Sequence, residues 1–151
     1  THELGHLYFG FGLSSTSVIN SNDLWFAVGL GILFDRLVWQ EMRPYPSPLF
    51  SSTEAQWLNI YAINSAIDQR LIDPDTTNDQ KFGLTRLQIY GHAKAWAYLR
   101  ELRRRVGCKQ FDLAVQNLFG SRSSPILQYA DLRILLDAKV VSKLEARMGI
   151  L

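Results

Sequence analysis

Cysteine is nearly absent. Cys108 stands alone in 151 residues, so no intrachain disulfide staples the fold and the redox state of the compartment is not encoded. Proline is sparse, and Pro44, Pro46 and Pro48 fall together in one short stretch, which leaves most of the chain free of helix breakers. Neither sign of charge is in excess: 16 Lys and Arg against 14 Asp and Glu give a net charge of +2. That is too weak a field to imply a nucleic-acid or membrane-surface partner. The longest apolar run, residues 24–34, stops at Asp35 and Arg36, short of the ~20 residues needed to span a bilayer. What is present is apolar: 47% hydrophobic and 12% aromatic residues exclude intrinsic disorder and supply a core for one compact domain over residues 1–151.

The dominant pattern has a period of 3.6 residues. Residues 22–40 carry apolar side chains on nearly every face, including Leu24, Trp25, Val28, Leu30, Ile32, Leu33, Leu37 and Val38, which predicts a buried helix capped by Asn22 or Asp23. The prolines between Arg43 and Pro48 demand an extended connector. Thr53 and Gln56 have capping-box spacing and open a predicted helix over about residues 52–72. The polar residues 73–79 read as a turn. A third helix is predicted over about residues 84–106, its end crowded by Arg100, Arg103, Arg104 and Arg105 and stopped by Gly107. A short helix over residues 109–119 and one or two more within residues 129–147 complete an all-α expectation with no strand.

His2-Glu3-Leu4-Gly5-His6 fits H-E-x-x-H. On a helix, histidines four apart share a face and can reach one tetrahedral Zn²⁺, while the glutamate between them takes a proton from metal-bound water. In isolation such a pentapeptide is as readily a pair of surface histidines. The residues that follow reduce that reading. His2-Glu-Leu-Gly-His-Leu-Tyr-Phe-Gly10 and then Asn22-Asp-Leu-Trp-Phe-Ala-Val-Gly29 resemble the gluzincin zinc aminopeptidases, the aminopeptidase N and glycyl aminopeptidase group. That family reads H-E-x-x-H-x-W-F-G and then N-D-x-W-L-x-E-G. Tyr90-Gly-His-Ala-Lys-Ala95 resembles the family's Y-x-K-G-A segment, and the runs from Leu102 to Gly107 and from Phe111 to Val115 resemble the helix pair after it. The resemblance extends over about residues 1–119 in consistent order.

The resemblance implies a helical bundle like the C-terminal helical half of a thermolysin-like peptidase domain. It assigns His2 and His6 as zinc ligands, Glu3 as general base, and Tyr90 as the hydroxyl that steadies a tetrahedral intermediate. On its own pattern Tyr90 reads as an amphipathic core tyrosine. The family's third ligand is the glutamate of its L-x-E-G segment, and Val28 occupies that position. Valine offers no lone pair, and two imidazoles fall short of the three protein ligands of a catalytic zinc. Two further departures are a longer interval before the Val28 position and His92-Ala93 where the family has Lys-Gly.

No nearby carboxylate is placed to take over. Asp35 lies two turns beyond Val28, roughly 10 Å along the axis. Asp23 reads as a cap, and Glu41 sits beside the proline connector. The expectation is therefore a metallopeptidase-like pseudoenzyme with zinc weak or absent. Two alternatives stand beside it: an active zinc-dependent aminopeptidase or hydrolase with an unrecognised third ligand, and a non-catalytic helical protein-interaction module.

Remaining features are weaker. The arginines from Arg100 to Arg105 could grip a carboxylate or phosphate, or simply be solvated at a helix end. Cys108 has no neighbouring base to make it a nucleophile. A metal motif within the first six residues would sit at a frayed end, so the chain reads as a fragment of a longer protein whose upstream domain completes the cleft. Leu7, Tyr8, Phe9, Trp25, Phe26 and Phe34 are expected to face that domain, and to drive self-association when bare. The expected partners are that domain and a peptide or protein substrate, with no nucleic acid and no membrane span.

Overall fold

The computed structural model describes residues 24–42, 59, 80–81, 84–85, 93–120 and 128–148. Within them the chain is all-α: α1 (Leu24–Met42), α2 (Ala95–Val106), α3 (Cys108–Gly120), α4 (Tyr129–Ile134) and α5 (Ala138–Met148). The one addition is a minimal hairpin of β1 (Gln80–Lys81) and β2 (Leu84–Thr85), antiparallel, with Gln80 opposite Thr85 and Lys81 opposite Leu84. Among the described residues no helix is long and apolar enough to cross a membrane.

α1 follows from its composition. Every residue from 25 to 33 is buried, so this helix is wrapped on all sides along its first half, as an apolar pattern without a polar face requires. Only beyond Phe34 does it emerge, and Val38 is exposed. α1 lies on α2. Gly29 is where the two meet: a Cβ built there would stand 2.8 Å from Ala95 Cβ and 2.9 Å from Leu99 Cδ1. The missing side chain lets the helix backbones close on each other.

α2 is the centre of the bundle and touches α1, α3 and α5. Its N-terminal residues, from Ala95 to Leu99, are buried on every face, whereas its second half buries only Leu102 and Val106. A wider, π-type turn at Ala93 and Lys94 leads into it. Gly107 ends it at φ +94°, a region that side chains with a Cβ rarely adopt. The Gly107 carbonyl then accepts from the Phe111 N–H at 3.0 Å and so starts α3 at once. Phe111, Ala114, Val115 and Leu118 are buried, the i, i+3, i+4, i+7 stripe of an amphipathic helix. Asp137 opens α5, its Oδ1 accepting from the N–H groups of Lys139 at 2.9 Å and Val140 at 3.1 Å, which is the N-cap arrangement.

Three sequence expectations need correction. The third predicted helix, over residues 84–106, does not include Leu84 and Thr85, which pair as a strand with Gln80 and Lys81; its described α-helical part is Ala95–Val106, and residues 86–92 lie outside the described residues. For the same reason the expectation of no strand fails locally, although the fold class stands. Trp25 and Phe26, expected to face an upstream domain, are 4% and 0% exposed within the core of this chain. The predicted helix over residues 52–72 lies outside the described residues, apart from Asn59, which is helical and exposed. So do the N-cap candidates Asn22 and Asp23.

Candidate functional site

His2, Glu3, His6 and Tyr90 lie outside the described residues, as does His92. Val28, which the resemblance sets at the third-ligand position, lies within them. It sits in the second turn of α1, 8% exposed, in the cluster of apolar side chains that joins α1 to α2. Its neighbour Gly29 makes the close approach to Ala95. A valine there presents hydrocarbon only.

Three charged residues are buried among the described residues, Asp35, Lys94 and Glu145. Asp35 is 7% exposed, and its Oδ1 is buried without a hydrogen-bond partner. Lys94, which directly precedes α2, is 1% exposed. Among the described residues no group of three His, Cys, Asp or Glu side chains is placed to hold a metal ion.

The arginine cluster is not a free anion grip. Arg103 makes a bidentate pair with Asp112 of α3, with Nε at 2.8 Å and Nη2 at 2.7 Å. Arg104 pairs in the same forked way with Glu101, and Arg105 reaches the same carboxylate at 2.6 Å. Arg100 lies over the Trp96 ring at 5.4 Å, a cation–π contact. Hydrogen bonding from Arg104, followed by Arg105, lowers the Glu101 carboxyl from its ordinary 4.5 to about 2. The charges of α2 thus tie the helix to itself and to α3. Cys108 is exposed at the start of α3.

Sequence reasoning missed a buried polar chain. Tyr98 of α2 and Tyr129 of α4 are hydrogen-bonded through their hydroxyls. The Tyr129 O–H donates to Glu145 Oε1 of α5 at 2.8 Å. With that proton committed, Tyr98 is the donor in the tyrosine pair. Arg133 closes the chain from the surface side, its Nε 2.8 Å from Oε1 and its Nη2 3.1 Å from Oε2. The Glu145 side chain is 1% exposed and that of Arg133 40%. Desolvation is the first cause that holds both tyrosine hydroxyls protonated well above their usual range.

Around this chain the rings of Trp25, Phe26, Tyr98 and Tyr129 pack edge-on or tilted, with centroids from 5.2 Å for Trp25–Tyr129 to 6.1 Å for Trp25–Tyr98. Trp25 Nε1 is buried without a hydrogen-bond partner. One signal of the chain was present in the sequence. Glu145 falls on the stripe Val141, Leu144, Glu145, Met148, the inward face of α5, where a carboxylate must find partners.

Comparison with protein-family models, with curated proteins and with solved structures gave no match in any of the three.

Proposed function

We propose that this chain is the helical part of an aminopeptidase-like, gluzincin-type metallopeptidase domain in which zinc-dependent hydrolysis is lost. Support comes from the order of its motifs: H-E-x-x-H at residues 2–6, the N-D-x-W segment from Asn22 to Gly29, and Tyr90 ahead of α2. One observation carries the loss of activity. The position of the third ligand is filled by Val28, a hydrocarbon side chain 8% exposed in the α1–α2 core, where a divalent cation needs an oxygen or nitrogen donor. Without that donor Glu3 has no activated water to deprotonate, and Tyr90 has no tetrahedral intermediate to steady.

The test is metal analysis of the chain purified without chelators, together with an aminoacyl fluorophore assay. The expected result is zinc far below one equivalent and no release above background. One tightly held equivalent of zinc with measurable release overturns the reading.

A second reading, an active zinc hydrolase with a different third ligand, draws on the unpartnered Oδ1 of the buried Asp35. Under that reading Asp35→Asn removes bound zinc and turnover together. Under the first reading it changes neither.

A further inference from the structure

The Tyr98–Tyr129–Glu145–Arg133 chain joins three helices, and the way it is satisfied makes it a switchable fastening. Both groups that hold Glu145 from α4, Tyr129 and Arg133, are four residues apart and therefore share one face of that helix. Glu145 itself is on α5, and Tyr98, the far end of the chain, is on α2. A carboxylate buried to 1% exposure is stable as a charge only with its guanidinium and hydroxyl partners in place. That requirement is met only while α4 and α5 stay docked on each other, and the Tyr98 hydroxyl on Tyr129 ties the pair to α2. Partial docking leaves a buried charge uncompensated, so the arrangement is closer to two-state than to gradual.

Beneath the two helices lies an aromatic face. Tyr129 covers Trp25 and Phe26 of α1 and Tyr98 of α2, all now buried. Trp25 stands one helical turn from Val28 on the same side of α1. Its indole N–H, buried without an acceptor, is a donor whose desolvation is relieved when that face opens. Arg133, the partner nearest solvent at 40% exposure, is the end of the chain that the surroundings can reach.

We propose that α4 and α5 form a latched cover over the aromatic face of α1 and α2, fastened by the Arg133–Glu145–Tyr129–Tyr98 chain and released as one unit when the Arg133–Glu145 pair is broken. The inference stands apart from the metallopeptidase reading, since none of its residues is a zinc ligand or general base in that reading.

Hydrogen exchange on the whole chain, read helix by helix, tests it. Arg133→Met strands the Glu145 charge. The expected result is at least tenfold faster exchange of the amides of α4 and α5, unchanged protection in α1 and α3, and increased binding of an apolar fluorescent dye. The double variant Arg133→Met with Glu145→Met leaves no charge to bury and restores slow exchange in α5. The proposal is overturned if Arg133→Met leaves α5 unchanged, if it accelerates all helices alike, or if the double variant fails to restore protection. Should Arg133→Met not fold, Arg133→Lys, which keeps the charge without the forked geometry, decides by the same ratio of α5 to α1 exchange.

Discussion

Gly29 and Ala95 touch so closely that a methyl group on the glycine would lie 2.8 Å from the alanine Cβ and 3.2 Å from its carbonyl carbon. Neither atom is the end of a flexible side chain, so only a backbone shift makes room. Gly29→Ala would gain roughly 1 kcal/mol in helix propensity. Overpacking of a tight core typically costs about 1–3 kcal/mol. The expected net effect is a lower urea midpoint with an unchanged denaturant slope. Ala95→Gly in the same chain should recover part of the loss, because it removes the atom that is struck.

Val28→Glu places a carboxylate where the resemblance puts the third zinc ligand. In the absence of metal the variant is expected to be less stable by about 1–3 kcal/mol, because the acid is buried without a partner. Adding zinc should restore the melting temperature and bring metal content toward one equivalent. His6→Ala in that background should abolish both effects. A Val28→Glu chain indifferent to zinc would remove position 28 from any metal site.

Glu101 carries the pH dependence of the arginine cluster. Its folded pKa of about 2 lies below the ordinary 4.5, so the folded state prefers the ionised form. The sign follows: this stabilisation is complete above the unfolded value and is lost as pH falls from about 4.5 toward 2. Compared with Glu101→Gln, the native chain should be more stable at neutral pH, and the two should converge over that acidic interval. The difference should be modest and shrink with added salt, since Arg104 is largely exposed, at 69% of its side-chain surface. Thermal melts across the interval check it.

Asp137 supplies the cap of α5 through two backbone hydrogen bonds. Asp137→Ala should lower stability by about 1 kcal/mol, whereas Asp137→Ser or Asp137→Asn should nearly preserve it. Urea unfolding, with hydrogen exchange at Lys139 and Val140, measures both.

Much of the secondary structure was legible from the residues. The largely apolar α1, the stop at Gly107, a short helix over residues 109–119 and a helical region within residues 129–147 each depend on residues within about four positions of one another. The start of the third helix was misjudged because Leu84 continues the spacing of Leu87 and Leu99 in register, while the strand pairing that removes it runs through Gln80 and Lys81. Periodicity counts positions; it does not register a competing hydrogen-bond partner. At the candidate site, Val28 was legible by its place in a motif, and its burial was implied by the apolar pattern around it.

The buried polar chain was not legible, although each residue was in plain view. Tyr98 and Tyr129 are 31 positions apart, and Tyr129 and Glu145 are 16 apart. The arginines show the same limit: a row of cations at a helix end looks available until Asp112 of α3 and Glu101 are seen to occupy it. By itself the sequence determined most of the helices among the described residues and the hydrocarbon character of position 28, because helix signals act between near neighbours and side-chain chemistry is local. Which polar groups are buried, and what satisfies them, was decided only by the tertiary structure. A desolvated charge is stable only beside a partner, and the partners here come together only when helices far apart in the chain dock.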